Sequence, residues 1–180
     1  MRIISGEFKG RRIMAPKKLP VRPTTDMAKE SLFNILNNSY YFDDISVLDL
    51  FSGTGNISYE FASRGTEKIT AVDADYGCIN FINDTAERFD MPISTIRSDV
   101  FKYLENAGGK FTVIFADPPY DMALEEFEKI PTLVFSNELL EENGKLIVEH
   151  SKHTDLSNLK NFSYSKHYGG NAFSFFELPE

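Results

Sequence analysis

Residues 47–55 read Val-Leu-Asp-Leu-Phe-Ser-Gly-Thr-Gly. A short apolar run carries a single acid, Asp49, and gives way to a loop with two glycines. Beyond the loop the apolar spacing becomes helical to about Arg64, and Gly65 supplies a stop. Strand, glycine loop and helix in that order open a βα repeat. The repeat continues with a strand at 69–72, a helix over 76–89, a strand at 93–97 and a short helix over 100–105. A strand at 111–116 and a helix over 124–134 follow, and a fifth strand, 145–148, comes after the turn Glu142-Asn-Gly144. Residues 162–167 and 172–178, around Gly169-Gly170-Asn171, read as a closing hairpin. The pattern predicts an α/β fold: a mostly parallel sheet with helices on both faces and at least one antiparallel strand.

Upstream, Arg2-Ile-Ile-Ser and Arg12-Ile-Met-Ala flank Gly6-Glu-Phe-Lys-Gly10, which reads as a small hairpin. A linker punctuated by Pro16, Pro20 and Pro23 leads to Thr24-Thr25-Asp26. Those residues are cap candidates for a helix to about Asn37, with Ala28, Leu32, Ile35 and Leu36 on one face. The expected division is a basic hairpin and linker, 1–23, and one domain, 24–180.

The 180 residues carry a net charge of −8, unevenly placed. Residues 1–23 hold Arg2, Lys9, Arg11, Arg12, Lys17, Lys18 and Arg22 against Glu7 alone. A basic arm on an acidic body points to polyanion contact through the N-terminus. No apolar run approaches the length of a membrane span, and the first residues do not read as a signal peptide. The single cysteine, Cys78, excludes an internal disulfide and suits a reducing cytoplasm. No His/Cys cluster has metal-ligand spacing, so no metal is expected.

Ligands of open α/β sheets bind beyond the carboxyl ends of the strands, and four successive ends carry unusual residues. The first has Asp49 and then Ser52-Gly-Thr-Gly55. The second ends on Asp73, twenty residues after Gly53, the spacing at which an acid can accept both ribose hydroxyls of an adenosine. The third is followed by Ser98-Asp99-Val100, where Asp99 could accept from an adenine amine. The fourth ends on Asp117-Pro118-Pro119-Tyr120. A dinucleotide fingerprint would need a third glycine, but Asn56-Ile57-Ser58 follows Gly55, which argues against NAD. A carboxylate at position 49 suits an ammonium or sulfonium group and favours S-adenosylmethionine.

Asp117-Pro-Pro-Tyr120 resembles the [D/N]-P-P-[Y/F] signature of methyltransferases that modify exocyclic base amines. Such an amine is a poor nucleophile because its lone pair is delocalised into the ring. Asp117 and the Pro118 carbonyl could each accept one of its N–H bonds, holding the nitrogen in line and stabilising the charge that develops on it. The two prolines stiffen that carbonyl, and Tyr120 can stack on the base.

With these residues in hand, the chain resembles the RsmD family of 16S rRNA guanine-N2 methyltransferases. The likeness begins at Met1-Arg-Ile-Ile-Ser-Gly6 and Lys9-Gly-Arg11 and runs through Arg22-Pro-Thr-Thr-Asp26, Glu30 and Leu32-Phe-Asn-Ile-Leu36. It continues through Leu48–Gly55, Ser63-Arg-Gly65 and Asp117–Tyr120. The resemblance implies a seven-stranded, Rossmann-like class I methyltransferase fold and S-adenosylmethionine as donor. It further implies methylation of a guanine N2 in small-subunit rRNA; the acidic body makes an assembled or assembling 30S subunit the expected substrate rather than naked RNA, and nothing in the sequence demands more than a monomer. Asp49, Gly53 and Gly55 would line the methionine part, Asp73 the ribose and Asp99 the adenine, with Phe51 and Val100 also in the cofactor site. Thr24 would lie near the methionine end of the cofactor and the target base, and Asp117–Tyr120 would hold the guanine. Arg2, Lys9, Arg11, Arg12 and Arg22 would contact RNA. Met27 stands where these proteins commonly carry Arg, and Ser58 where Gly is frequent.

Competing readings are a DNA adenine-N6 or protein-glutamine methyltransferase and a catalytically silent RNA-binding module. In Glu149-His150, after the fifth strand, the histidine reads as a packed or surface residue rather than a base, and Phe173, Phe175 and Phe176 read as sheet core.

Overall fold

A computed structural model describes residues 1–21 and 24–180; Arg22, expected to contact RNA, lies outside the described residues. Helix α1 (Asp26–Asn37) begins where Thr25 accepts the Ala28 N–H through its side chain, and it buries Ala28, Leu32, Phe33 and Leu36 on one face. The βα repeat follows as β1 (Ser46–Leu50), α2 (Asn56–Ser63), β2 (Lys68–Asp73), α3 (Tyr76–Phe89), β3 (Ile93–Arg97), α4 (Val100–Asn106), β4 (Phe111–Ala116) and α5 (Leu124–Ser136). The chain ends with β5 (Leu140–Ser151), β6 (Phe162–Tyr168) and β7 (Asn171–Phe176).

The seven strands form one sheet in the order β3-β2-β1-β4-β5-β7-β6. The first five are parallel, and β7 is antiparallel to both β5 and β6. Residues 111–116 and 145–148 are apolar almost throughout because both faces of the sheet are covered. One face packs α1, α2 and α3 around Val47, Phe115, Ile147 and Phe173. The other packs α4 and α5 around Leu48, Ile114, Leu146 and Val148.

Strand β5 differs from the expected 145–148. Phe111 pairs with Leu140 and Val113 with Lys145, so the strand starts before the Glu142-Asn-Gly144 stretch and passes through it with a shift in register. A turn signal has become a bulge inside a strand.

The N-terminal hairpin closes with one antiparallel bridge, Arg2 to Arg12, in place of two full strands. It is packed into the domain, with Ile3 and Ile13 buried in the core shared by α1 to α3. Gly6 sits at φ 92°, and a Cβ there would fall 2.0 Å from the Ser63 carbonyl oxygen, so the close approach to α2 requires glycine. Glu60, fully buried on α2, accepts the backbone N–H groups of Ile4 and Ser5 and pairs with Lys29 and Arg64. The Lys29 ammonium, also buried, donates to the Arg2 carbonyl and to Asn56 Oδ1. Burial pulls the Lys29 pKa down, and Glu60 opposes that shift.

No helix among the described residues is long and apolar enough to cross a membrane. Among the same residues no group of three or more His, Cys, Asp or Glu could hold a metal.

Candidate active site

Beyond the carboxyl ends of β1 to β5 lies one cavity of about 730 Å3. Thr24, Asp49, Phe51, Gly53, Asp73, Asp99, Val100 and Asp117–Tyr120 all line it. Parallel register explains the convergence: Asp49 pairs across with Ala71 and Phe115, so residues just past each strand end reach a common level.

Asp49 is only 1% exposed. Burial pushes its carboxyl up to about 7, while a 2.6 Å hydrogen bond donated by the Ser58 hydroxyl opposes that shift. Ser58, where a glycine is frequent in the resembled family, thus gives Asp49 a partner. The Ser52 hydroxyl is buried beside the cavity and, among the described residues, has no hydrogen-bond partner. A buried carboxylate and an unsatisfied hydroxyl on one wall suit the ammonium and carboxylate of an amino-acid ligand.

The loop between β1 and α2 is held in an unusual shape. Phe51 has φ 55°, a left-handed conformation that costs a residue with a side chain roughly 1–2 kcal/mol. The Ser52 N–H bonds the Val72 carbonyl, and the Gly53 N–H bonds Asp73 Oδ2 at 2.8 Å. Asp73 takes the Asp75 N–H on its other oxygen, while Asp75 itself caps α3 through the Cys78 N–H. Asp73 therefore braces the glycine loop and leaves capping to its neighbour. Asp99 caps α4 through the Lys102 N–H and faces the cavity as well. Gly55, expected beside the cofactor, is not among the residues that line the cavity. At φ 91° it begins α2, and a Cβ there would lie 2.7 Å from the Tyr59 ring, so glycine makes room for packing below the loop.

At the other end of the cavity, the Asp117 N–H bonds the Leu50 carbonyl, which continues the ladder one residue past β4. Tyr120 is 66% exposed at the rim, so the buried ring of a simple strand terminator is absent. Phe127, Glu149, His150, Ser151 and Asn171 complete this end; sequence reasoning gave none of them a role there. Glu149 accepts from the Thr24 hydroxyl at 2.6 Å and from Asn171 Nδ2 at 3.2 Å. His150 is pinned by Ser174 Oγ at 2.6 Å and the Ser151 carbonyl at 2.8 Å, and burial lowers its pKa.

The basic residues expected to meet RNA separate into two groups. Arg2 pairs with Asp26 at 3.2 Å. Arg11, Arg12 and Arg88, from the last turn of α3, line a second recess together with Asp90 and the contacting rings of Phe8 and Phe89. Lys9 is exposed on the hairpin turn. Arg88 carries no signal in the sequence, because only the docked hairpin brings the other two arginines to it.

A family model described as conserved hypothetical protein 95 matches residues 1–177. YlbH of Bacillus subtilis, provisionally named an rRNA methyltransferase, is 35% identical over 161 residues, 87% of this chain and 85% of its own. The ribosomal RNA small subunit methyltransferase D of Escherichia coli K12 is 32% identical over 150 residues, 83% of this chain and 71% of its own. Among solved structures, Escherichia coli YhhF, provisionally titled a methyltransferase, matches with a TM-score of 0.84 at 27% identity, covering 98% of this chain and 96% of that one. The strand order and this likeness make the fold the Rossmann-like class I methyltransferase fold.

Proposed function

The chain belongs to the RsmD family of rRNA methyltransferases, and on that premise we propose that it methylates the exocyclic N2 amine of a guanine in small-subunit rRNA. S-adenosylmethionine is the donor; when bound it supplies an electrophilic methyl carbon on a sulfonium sulfur, which keeps the bonding pair as the methyl leaves. The observation that carries the reading is the single cavity joining the acids of three strand ends to Asp117–Tyr120.

Each residue then has a task. Asp49 offers a buried negative charge to a cationic ligand, Asp73 braces the glycine loop and faces the ribose, and Asp99 with Val100 takes the adenine. Asp117 and the Pro118 carbonyl accept the two N–H bonds of the target amine, which orients its lone pair and stabilises its growing positive charge. The methylated nitrogen, now cationic, gives up its proton to Asp117 or to water. Tyr120, exposed at the rim, is placed to stack on a base turned out of its helix. Residues 1–23 form the RNA-contacting part and 24–180 the catalytic domain. Arg11, Arg12 and Lys9 meet the phosphate backbone, with Arg88 beside them, and the protein acts as a cytoplasmic monomer on the assembling 30S subunit.

The test is transfer of radiolabelled methyl from S-adenosylmethionine to 30S subunits from cells lacking the protein, with naked rRNA and DNA alongside. Label in subunit RNA that digests to N2-methylguanosine supports the reading. Label in DNA alone, or in no nucleic acid while the cofactor still binds, overturns it.

A further inference from the structure

Ala116 of β4 pairs with Val148 of β5, and the residue after each is an acid: Asp117, one past the end of β4 and held in line by its N–H bond to the Leu50 carbonyl, and Glu149 within β5. Phe115 and Ile147, two residues before them, belong to the core under α1 to α3, whereas Ala116 and Val148 belong to the opposite core. Strand alternation therefore places Asp117 and Glu149 on the same face, on neighbouring strands about 4.8 Å apart. Both line the cavity.

Glu149 is only 3% exposed. A carboxylate taken that far from water is costly unless it is oriented and used. Thr24, in the segment before α1, and Asn171, at the start of β7, both donate to it.

Two acceptors side by side match one purine edge. Guanine presents adjacent donors, the N2 amine and the N1–H. Adenine has an amine beside N1, but its N1 carries a lone pair, which would face a carboxylate across the same gap. We infer that Glu149 is the residue that selects guanine, by accepting the ring N1–H while Asp117 accepts from the N2 amine. This deepens the reading above and rests on it. Asp117 touches the reacting nitrogen, and Glu149 determines which base can present one.

The test uses nucleosides, so it does not depend on the RNA substrate. Affinities for guanosine and 2-aminopurine riboside are measured by NMR titration of the protein saturated with S-adenosylhomocysteine. The second nucleoside keeps the N2 amine and lacks the N1–H. Wild type is expected to bind guanosine at least tenfold tighter, the value of one hydrogen bond to a charged group. Glu149→Gln should bring the ratio to within about twofold while S-adenosylhomocysteine affinity stays unchanged. A residue that merely supports the wall would lower both affinities together and leave the ratio intact, and that result overturns the proposal. So does a wild type without preference. Should Glu149→Gln fail to fold, Glu149→Asp reads the same ratio with the carboxylate withdrawn by one methylene. A guanosine preference that depends on Glu149, in a protein that transfers no methyl to rRNA, would leave the base selection standing and remove the rRNA reading.

Discussion

Replacing Asp49 with asparagine should make the ligand-free protein more stable, and by an amount that depends on pH. The folded carboxyl holds its proton up to about pH 7, whereas its ordinary pKa is 3.8. Between those values the folded state binds the proton more tightly than the unfolded state, so stability falls as pH rises through the window. Above about pH 7 the loss is complete. One pH unit is worth about 1.4 kcal/mol, so the ionised group costs about 4 kcal/mol at pH 8 and almost nothing at pH 4. Asparagine removes the titration, and its amide oxygen can still accept the Ser58 hydroxyl, which bonds Asp49 at 2.6 Å. At 2–4 °C per kcal/mol for a domain of this size, the variant should melt roughly 8–16 °C above wild type at pH 8, with the two converging at pH 4. Differential scanning calorimetry at both pH values reads the effect. A variant less stable than wild type at pH 8, or a difference independent of pH, would refute the claim that Asp49 is a strained, buried charge kept for a cationic ligand.

Three further outcomes follow from other parts of the molecule. Asp73→Ala removes the acceptor for the Gly53 and Asp75 N–H groups and should weaken S-adenosylmethionine binding about 10- to 100-fold by isothermal titration, the value of one hydrogen bond to a charged group. Glu60→Ala strands the buried Lys29 and frees the hairpin's N–H groups, so urea unfolding should show a loss of about 3–5 kcal/mol. Arg88→Gln should lower the log–log salt slope of rRNA binding by roughly 0.7–0.9, one phosphate contact, and should leave cofactor affinity unchanged.

What the sequence made legible was local. The glycine loop after β1, the cap at Thr25 and the alternation of strand and helix periods depend on neighbours within a turn or two, so α3, β3 and β4 fall at the expected residues. Three features escaped because their partners lie far along the chain. Lys29 sits on the buried face of α1, and its partner Glu60 lies on another helix. Glu149 carries no signal of its own until Thr24, 125 residues earlier, is folded over it. Asn143-Gly144 carries a turn signal, yet pairing of β5 with β4 keeps the chain extended on both sides of it. Gly55 adds a role that its place in a glycine motif did not suggest, clearance for the Tyr59 ring.

The central claim is that one cavity holds a methyl donor at one end and presents an amine at the other through Asp117. Asp117→Ala separates the two functions in a single preparation, by measuring S-adenosylmethionine affinity and the single-turnover rate of methyl transfer to 30S subunits. The account predicts an affinity within about twofold of wild type and a rate lower by roughly 10²–10³-fold, the usual cost of removing one preorganised group that stabilises transition-state charge. A rate close to wild type with the cofactor bound normally would contradict it.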